Sequence, residues 1–139
     1  MEWIVHDPWR PMPAIGGHLS PNPGPANRAT LDRRTDVATF NTLPFTREHE
    51  LFGHPQLRLR AQADHPGFDL CVSLSRCAKG DNSAEQLSTG VLRVLGDRAQ
   101  TVLEHVVQLQ PLLATLEKGD QLRLSIAAAA WRAIGVNPG

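Results

Sequence analysis

From residue 36 onward, apolar and polar residues alternate in short runs, the two-residue period of strands with one buried face. Gln56-Leu57-Arg58-Leu59-Arg60-Ala61-Gln62-Ala63 puts Leu57, Leu59, Ala61 and Ala63 on one side. Phe68-Asp69-Leu70-Cys71-Val72-Ser73-Leu74-Ser75 repeats the period, with Leu70, Val72 and Leu74 inward. Asp64-His65-Pro66-Gly67 between them has the composition of a turn. Further strands are predicted at 36–40, at 50–52 ending on Gly53, at 86–95 around Gly90, and at 121–126 after the turn Lys118-Gly119-Asp120. Residues 97–110 are ambiguous: apolar positions follow a helical spacing at first, yet Val102, Val106 and Val107 are β-branched and Pro111 stops the run. A strand over 106–110 is favoured, with 97–104 left open. Repeated short strands separated by turns predict an all-β fold, an antiparallel jelly-roll sandwich.

The first third of the chain reads differently. Pro8, Pro11, Pro13, Pro21, Pro23 and Pro25 rule out a helix and disfavour a central strand, because each removes a backbone N–H. Gly16-Gly17 and Pro23-Gly24-Pro25 add turns. Residues 1–35 are therefore expected to form an extended Pro-rich arm packing on a sandwich of residues 36–139.

At 139 residues the chain has the length of one domain. Its 14 Lys+Arg balance 14 Asp+Glu, which argues against nucleic acid or an anionic membrane as partner, since both require clustered positive charge. No apolar run approaches the roughly 20 residues of a membrane span. Met1 to Arg10 carries an acid and two tryptophans before any apolar run and does not read as a signal peptide. Cys71 and Cys77 would lie about 20 Å apart on a straight strand, too far to bridge. Reduced thiols and a cytoplasmic setting follow as the simplest expectation.

Candidate chemistry is sparse. No Gly-x-Ser-x-Gly occurs, and Ser20, Ser73, Ser75, Ser83, Ser88 and Ser125 sit in strand or loop contexts. His49-Glu50-Leu51-Phe52-Gly53-His54 spaces its histidines five apart, whereas a zinc-protease helix needs four. No Cys-x-x-Cys pairing supports structural zinc. Gly16-Gly17-His18 lacks the flanking strand and helix of a phosphate loop. Asp64, Asp69, Asp81 and Glu85 are weighed as a cation site in a loop, with solvated turn carboxylates the favoured reading; Arg33-Arg34 is read as solvated. No metal and no cofactor are called for. Trp3, Trp9 and Trp131 are the site residues singled out. They suit docking on a partner better than sugar stacking, given so few other aromatic residues.

Several stretches together resemble one family. Asp7-Pro8-Trp9-Arg10-Pro11-Met12-Pro13-Ala14-Ile15-Gly16-Gly17 resembles the Asp-Pro-x-x-Pro-x-Pro-x-x-Gly-Gly arm entering the C-terminal non-catalytic domain of the X-Pro dipeptidyl-peptidase and cocaine esterase (CocE/NonD-type) serine hydrolases. Asp36-Val37-Ala38-Thr39-Phe40-Asn41-Thr42-Leu43-Pro44-Phe45-Thr46 is similar to its Asp-Val-x-x-Phe-x-Thr-x-Pro-Leu-Thr strand and turn, and Glu50-Leu51-Phe52-Gly53-His54-Pro55 to its Glu-Leu-x-Gly-x-Pro segment. Phe68 to Leu74, Leu87 to Arg93, Lys118 to Leu124 and Asn137-Pro138-Gly139 match later segments in order. Departures occur at Val94-Leu95-Gly96, where the family has Arg-Tyr-Arg. A second lies at Ala127-Ala128-Ala129-Ala130-Trp131-Arg132-Ala133, where polar groups that could face a catalytic domain are missing.

The resemblance implies a galactose-binding-like jelly roll that packs on an α/β-hydrolase catalytic domain and helps wall its acyl-substrate pocket. The family's catalytic triad lies upstream of the arm, so no triad residue carries over. The expected role is an accessory domain of a serine hydrolase, a dipeptidyl-peptidase or an esterase, non-catalytic by itself and with room for self-association. The alternative is a free-standing carbohydrate-binding or protein-interaction module.

Overall fold

The computed structural model describes residues 1–17, 20, 22 and 24–137. Eight strands follow in order: β1 (Val37–Asn41), β2 (His49–Gly53), β3 (Gln56–Ala61), β4 (Gly67–Cys77), β5 (Glu85–Leu95), β6 (Leu103–Gln108), β7 (Leu112–Leu116) and β8 (Gln121–Ala127). Short 3₁₀ turns occupy Leu31–Arg33 and Asp97–Gln100. Pairing is nested and antiparallel throughout: β1 with β8, β2 with β7, β3 with β6, and β4 with β5. That wrapped ladder is the connectivity of a jelly roll. The strand β8 also pairs with β4, giving a four-stranded sheet β1-β8-β4-β5 beside the ribbons β2–β7 and β3–β6.

Alternation decides what each strand buries. Leu57 and Leu59 of β3 face Leu70, Val72, Val107, Leu109 and Ile126 in the main core, with Ile4 of the N-terminal segment packed against it. Each such side chain removed from water contributes about 2 kcal/mol. The other face of the four-stranded sheet is buried as well. Met12 lies on Ala127 and Ala129, with Leu31 and Val37 alongside. Consequently β4 is covered on both sides: Cys71, Ser73 and Ser75 are as buried as Leu70 and Val72. The alanines at 127 and 129 thus lie beneath the arm, where a small side chain lets Met12 approach the sheet.

Two glycines are fixed by space. Gly16, at φ +55°, would place a Cβ 2.5 Å from Ala26 Cβ and 2.6 Å from the Gly24 carbonyl. Gly90 lies where β5 passes the end of β6, and a Cβ there would sit 2.3 Å from the Gln108 carbonyl oxygen. Adjacent bonds hold this crossing: Gln110 N–H donates to Thr89 O, and Ser88 Oγ donates to Gln110 O.

The ambiguous stretch resolves differently from the favoured strand at 106–110. Gly96, at φ 73°, breaks the chain and Asp97–Gln100 forms a 3₁₀ turn that plugs Ala99 fully into the core. The strand then begins earlier, at Leu103, and ends at Gln108. Strand β7 was not anticipated, because Pro111 reads as a stop. Placed just before the first paired residue, it removes no ladder bond from Leu112–Leu116.

Candidate partner-docking surface

The three tryptophans are exposed: Trp3 by 78%, Trp9 by 92% and Trp131 by 47%. Trp9 sits in a turn held by Asp7, whose carboxylate accepts from Trp9 N–H at 2.9 Å and whose carbonyl accepts from Arg10 N–H. Trp131 is tied by its backbone to the arm: its N–H donates to Met12 O, and Ala14 N–H donates to its carbonyl. The structure thus brings the Trp131 segment to the stretch just after Trp9. Among the described residues, none of the three rings stacks on another.

Polar side chains hold the arm and the C-terminal segment in place. His6 Nε2 lies 3.0 Å from Asn137 O, and Gln86 Nε2 donates to Ile15 O. Arg93 grips Asp69 through two bonds of 2.7 and 2.8 Å and donates a third to Gly135 O. Within the 1–35 segment, Arg28 and Asp32 form a buried ion pair at 3.4 Å, with Arg123 on the other carboxylate oxygen at 3.5 Å and Gln86 accepting from Arg28 Nη1. Burial pulls the Arg28 pKa downward, with Asp32 opposing that pull.

The remaining candidates are dispersed. Asp64 and Asp81 flank opposite ends of β4, about 36 Å of extended chain. Asp69 is not a solvated turn carboxylate but lies buried under Arg93, and Asp81 accepts from Ser83 N–H and Oγ. Arg34 is not free in solvent either; it pairs with Asp36 at 2.6 Å and donates to Arg10 O, fastening the arm. His49 packs its ring 5.0 Å from Phe45, while His54 follows beyond the strand end at Gly53. Among the described residues no group of three His, Cys, Asp or Glu is placed to hold a metal, and no serine hydrogen-bonds a histidine. His18, Pro138 and Gly139 lie outside the described residues. A polar cleft of about 410 Å³ beside Thr39, Asn82 and Arg123 has no aromatic ring in its described walls. No helix among the described residues is long and apolar enough to cross a membrane.

Two consequences are measurable. The Arg34 hydrogen bond holds the Asp36 carboxyl below its ordinary 3.8. Burial would raise Asp120, yet the Glu117 N–H, the Arg76 side chain and the Lys79 N–H together hold it below 3.8 too. Depressed folded-state values mean that this stabilisation is complete above the unfolded value and fades as pH drops through the folded ones. Melting temperature should fall from about pH 5 toward pH 3, and Asp120→Asn should flatten that limb; an unchanged limb would refute the assignment. Cys71 and Cys77 are buried, free thiols. Burial, with Asp69 second, pushes Cys71 up to about 12, leaving on the order of one thiolate in ten thousand at pH 8. Iodoacetamide should leave both cysteines of the native protein unmodified and label both after unfolding; rapid alkylation of native protein would contradict the burial.

The family described as the X-Pro dipeptidyl-peptidase C-terminal non-catalytic domain matches residues 1–139. The chain belongs to that family. Among solved structures, an aminopeptidase from a marine sediment Thaumarchaeota archaeon is similar over 97% of this chain and 26% of its own, with a TM-score of 0.82 at 18% identity. An α-amino acid ester hydrolase aligns over the same shares, at TM-score 0.81 and 20% identity. A CocE/NonD family hydrolase from Staphylococcus aureus covers 72% of this chain and 25% of its own, at TM-score 0.60 and 16% identity. At these identities the likeness is one of fold. The chain spans about a quarter of the length of the solved chains it resembles. Among curated proteins, none matches it.

Sequence reasoning missed the Arg28–Asp32–Arg123 cluster and the outward pair Phe52 and Leu113. Arg28 and Asp32 are only four residues apart, but nothing local announces their burial or the approach of the distant Arg123. The apolar pair had a signal: Leu112-Leu113-Ala114-Thr115-Leu116 is apolar at both parities.

Proposed function

We propose that this domain packs on an α/β-hydrolase catalytic domain of the X-Pro dipeptidyl-peptidase or acyl esterase type, and shapes the pocket that admits the acyl group. Its family carries the reading, since the domain is non-catalytic and its solved relatives include an aminopeptidase and an α-amino acid ester hydrolase about four times as long. In this reading residues 1–35 act as an arm fastened to the sandwich of residues 36–139. Trp3, Trp9 and Trp131 form the contact, because large rings exposed on a fastened backbone lose little freedom on docking. Two buried free thiols suit a reducing, cytoplasmic setting.

The test is retention. The protein, tagged and isolated from its native cells, should carry a serine hydrolase reactive toward a fluorophosphonate probe, either as a separate chain or as the remainder of the same polypeptide. Alanine at Trp3 and Trp9 should weaken retention of a separate hydrolase, or change the acyl-size dependence of KM in a fused one. Recovery without any fluorophosphonate-reactive hydrolase would overturn the reading.

A further inference from the structure

The ribbon β2–β7 carries apolar residues on both faces. Leu51, Leu112 and Ala114 are half-buried and Leu116 is fully buried on the inner side. On the outer side Phe52 stands directly across from Leu113, the two 88% and 76% exposed. Side chains in opposed register positions of an antiparallel pair lie about 5 Å apart, so the two form one continuous apolar spot. The next register pair on that face, Glu50 and Thr115, is polar and exposed, giving the spot a rim. The outer face of β3–β6, by contrast, presents Arg58, Arg60, Glu104, Gln56 and Gln108 around Val106. A strand that is apolar at successive positions is the pattern of strands covered on both faces. A two-stranded ribbon is also marginally stable when left uncovered. The ribbon is built to be covered.

We propose that the outer face of β2–β7, centred on Phe52 and Leu113, is seated by the hydrolase domain, as a second contact separate from the tryptophans. The inference rests on the function proposed above. The occupant follows from length: the solved relatives carry about three-quarters of their chain beyond this domain.

The experiment replaces Phe52 with the photoreactive p-benzoylphenylalanine in the native cell, with Arg58 on the outer face of β3 as the control position. After irradiation, position 52 is expected to form adducts with peptides of a Gly-x-Ser-x-Gly hydrolase domain, in the same polypeptide or another, at least tenfold more than position 58. Where the hydrolase is a separate chain, Phe52→Ser with Leu113→Ser should also reduce its recovery at least tenfold. If the hydrolase is retained but position 52 gives no hydrolase adduct, or gives adducts only with a second copy of this chain, the ribbon proposal fails while the proposed function stands. If no serine hydrolase is retained at all, the proposed function fails first.

Discussion

Gly90→Ala should destabilise the domain by about 3 kcal/mol and lower its melting temperature by ~10 °C. The obstacle is backbone, not a flexible side chain: the new methyl would meet the Gln108 carbonyl at 2.3 Å and its carbon at 3.0 Å. Relief requires β5 to move away from the end of β6, which stretches the bonds joining Thr89 and Ser88 to Gln110. Gly135→Ala is the matched control, since nothing lies within 4 Å of a Cβ built there. Urea melts compare them directly; equal midpoints for Gly90→Ala and wild type would show that the crossing is looser than described.

Asp32→Ala should cost still more, about 3–5 kcal/mol, because it leaves Arg28 charged and buried with only Gln86 as partner. Side-chain exposures of 6% for Arg28 and 2% for Asp32 decide the magnitude, since an exposed pair would be worth about 1 kcal/mol or less. Replacing the pair together, as Arg28→Met with Asp32→Leu, removes the stranded charge and should recover most of the loss. A double variant no more stable than Asp32→Ala would mean that packing rather than charge pairing sets the cost.

Much of this architecture is written as local pattern. Leu57 and Leu59, then Leu70, Val72 and Leu74, alternate because one side of each strand meets the main core, and period two reports that directly. The pattern is silent on a second covering layer. Cys71, Ser73 and Ser75 read as outward positions, yet they are buried, and Met12 of the arm packs on Ala127 and Ala129 of the sheet. Strand β7 escaped because a proline at its edge resembles a terminator. The ordered run of motifs identified the family, whereas the cluster of Arg28, Asp32 and Arg123 depends on bringing residue 123 of β8 to the segment 28–32. Trp3, Trp9 and Trp131 were legible as candidates because they are large rings near the ends of a chain with few aromatic residues; that Phe52 stands across from Leu113 became legible only with the register of β2 on β7.

The proposed role requires a domain that offers a hydrolase shape and no nucleophile of its own. The most direct measurement is ester and aminoacyl-amide turnover by the purified 139-residue chain, with fluorophosphonate labelling of the same sample. It should show neither turnover above buffer nor label on any serine. Turnover at enzyme rates, about 1 s⁻¹ or faster, together with a labelled serine in this chain would contradict it.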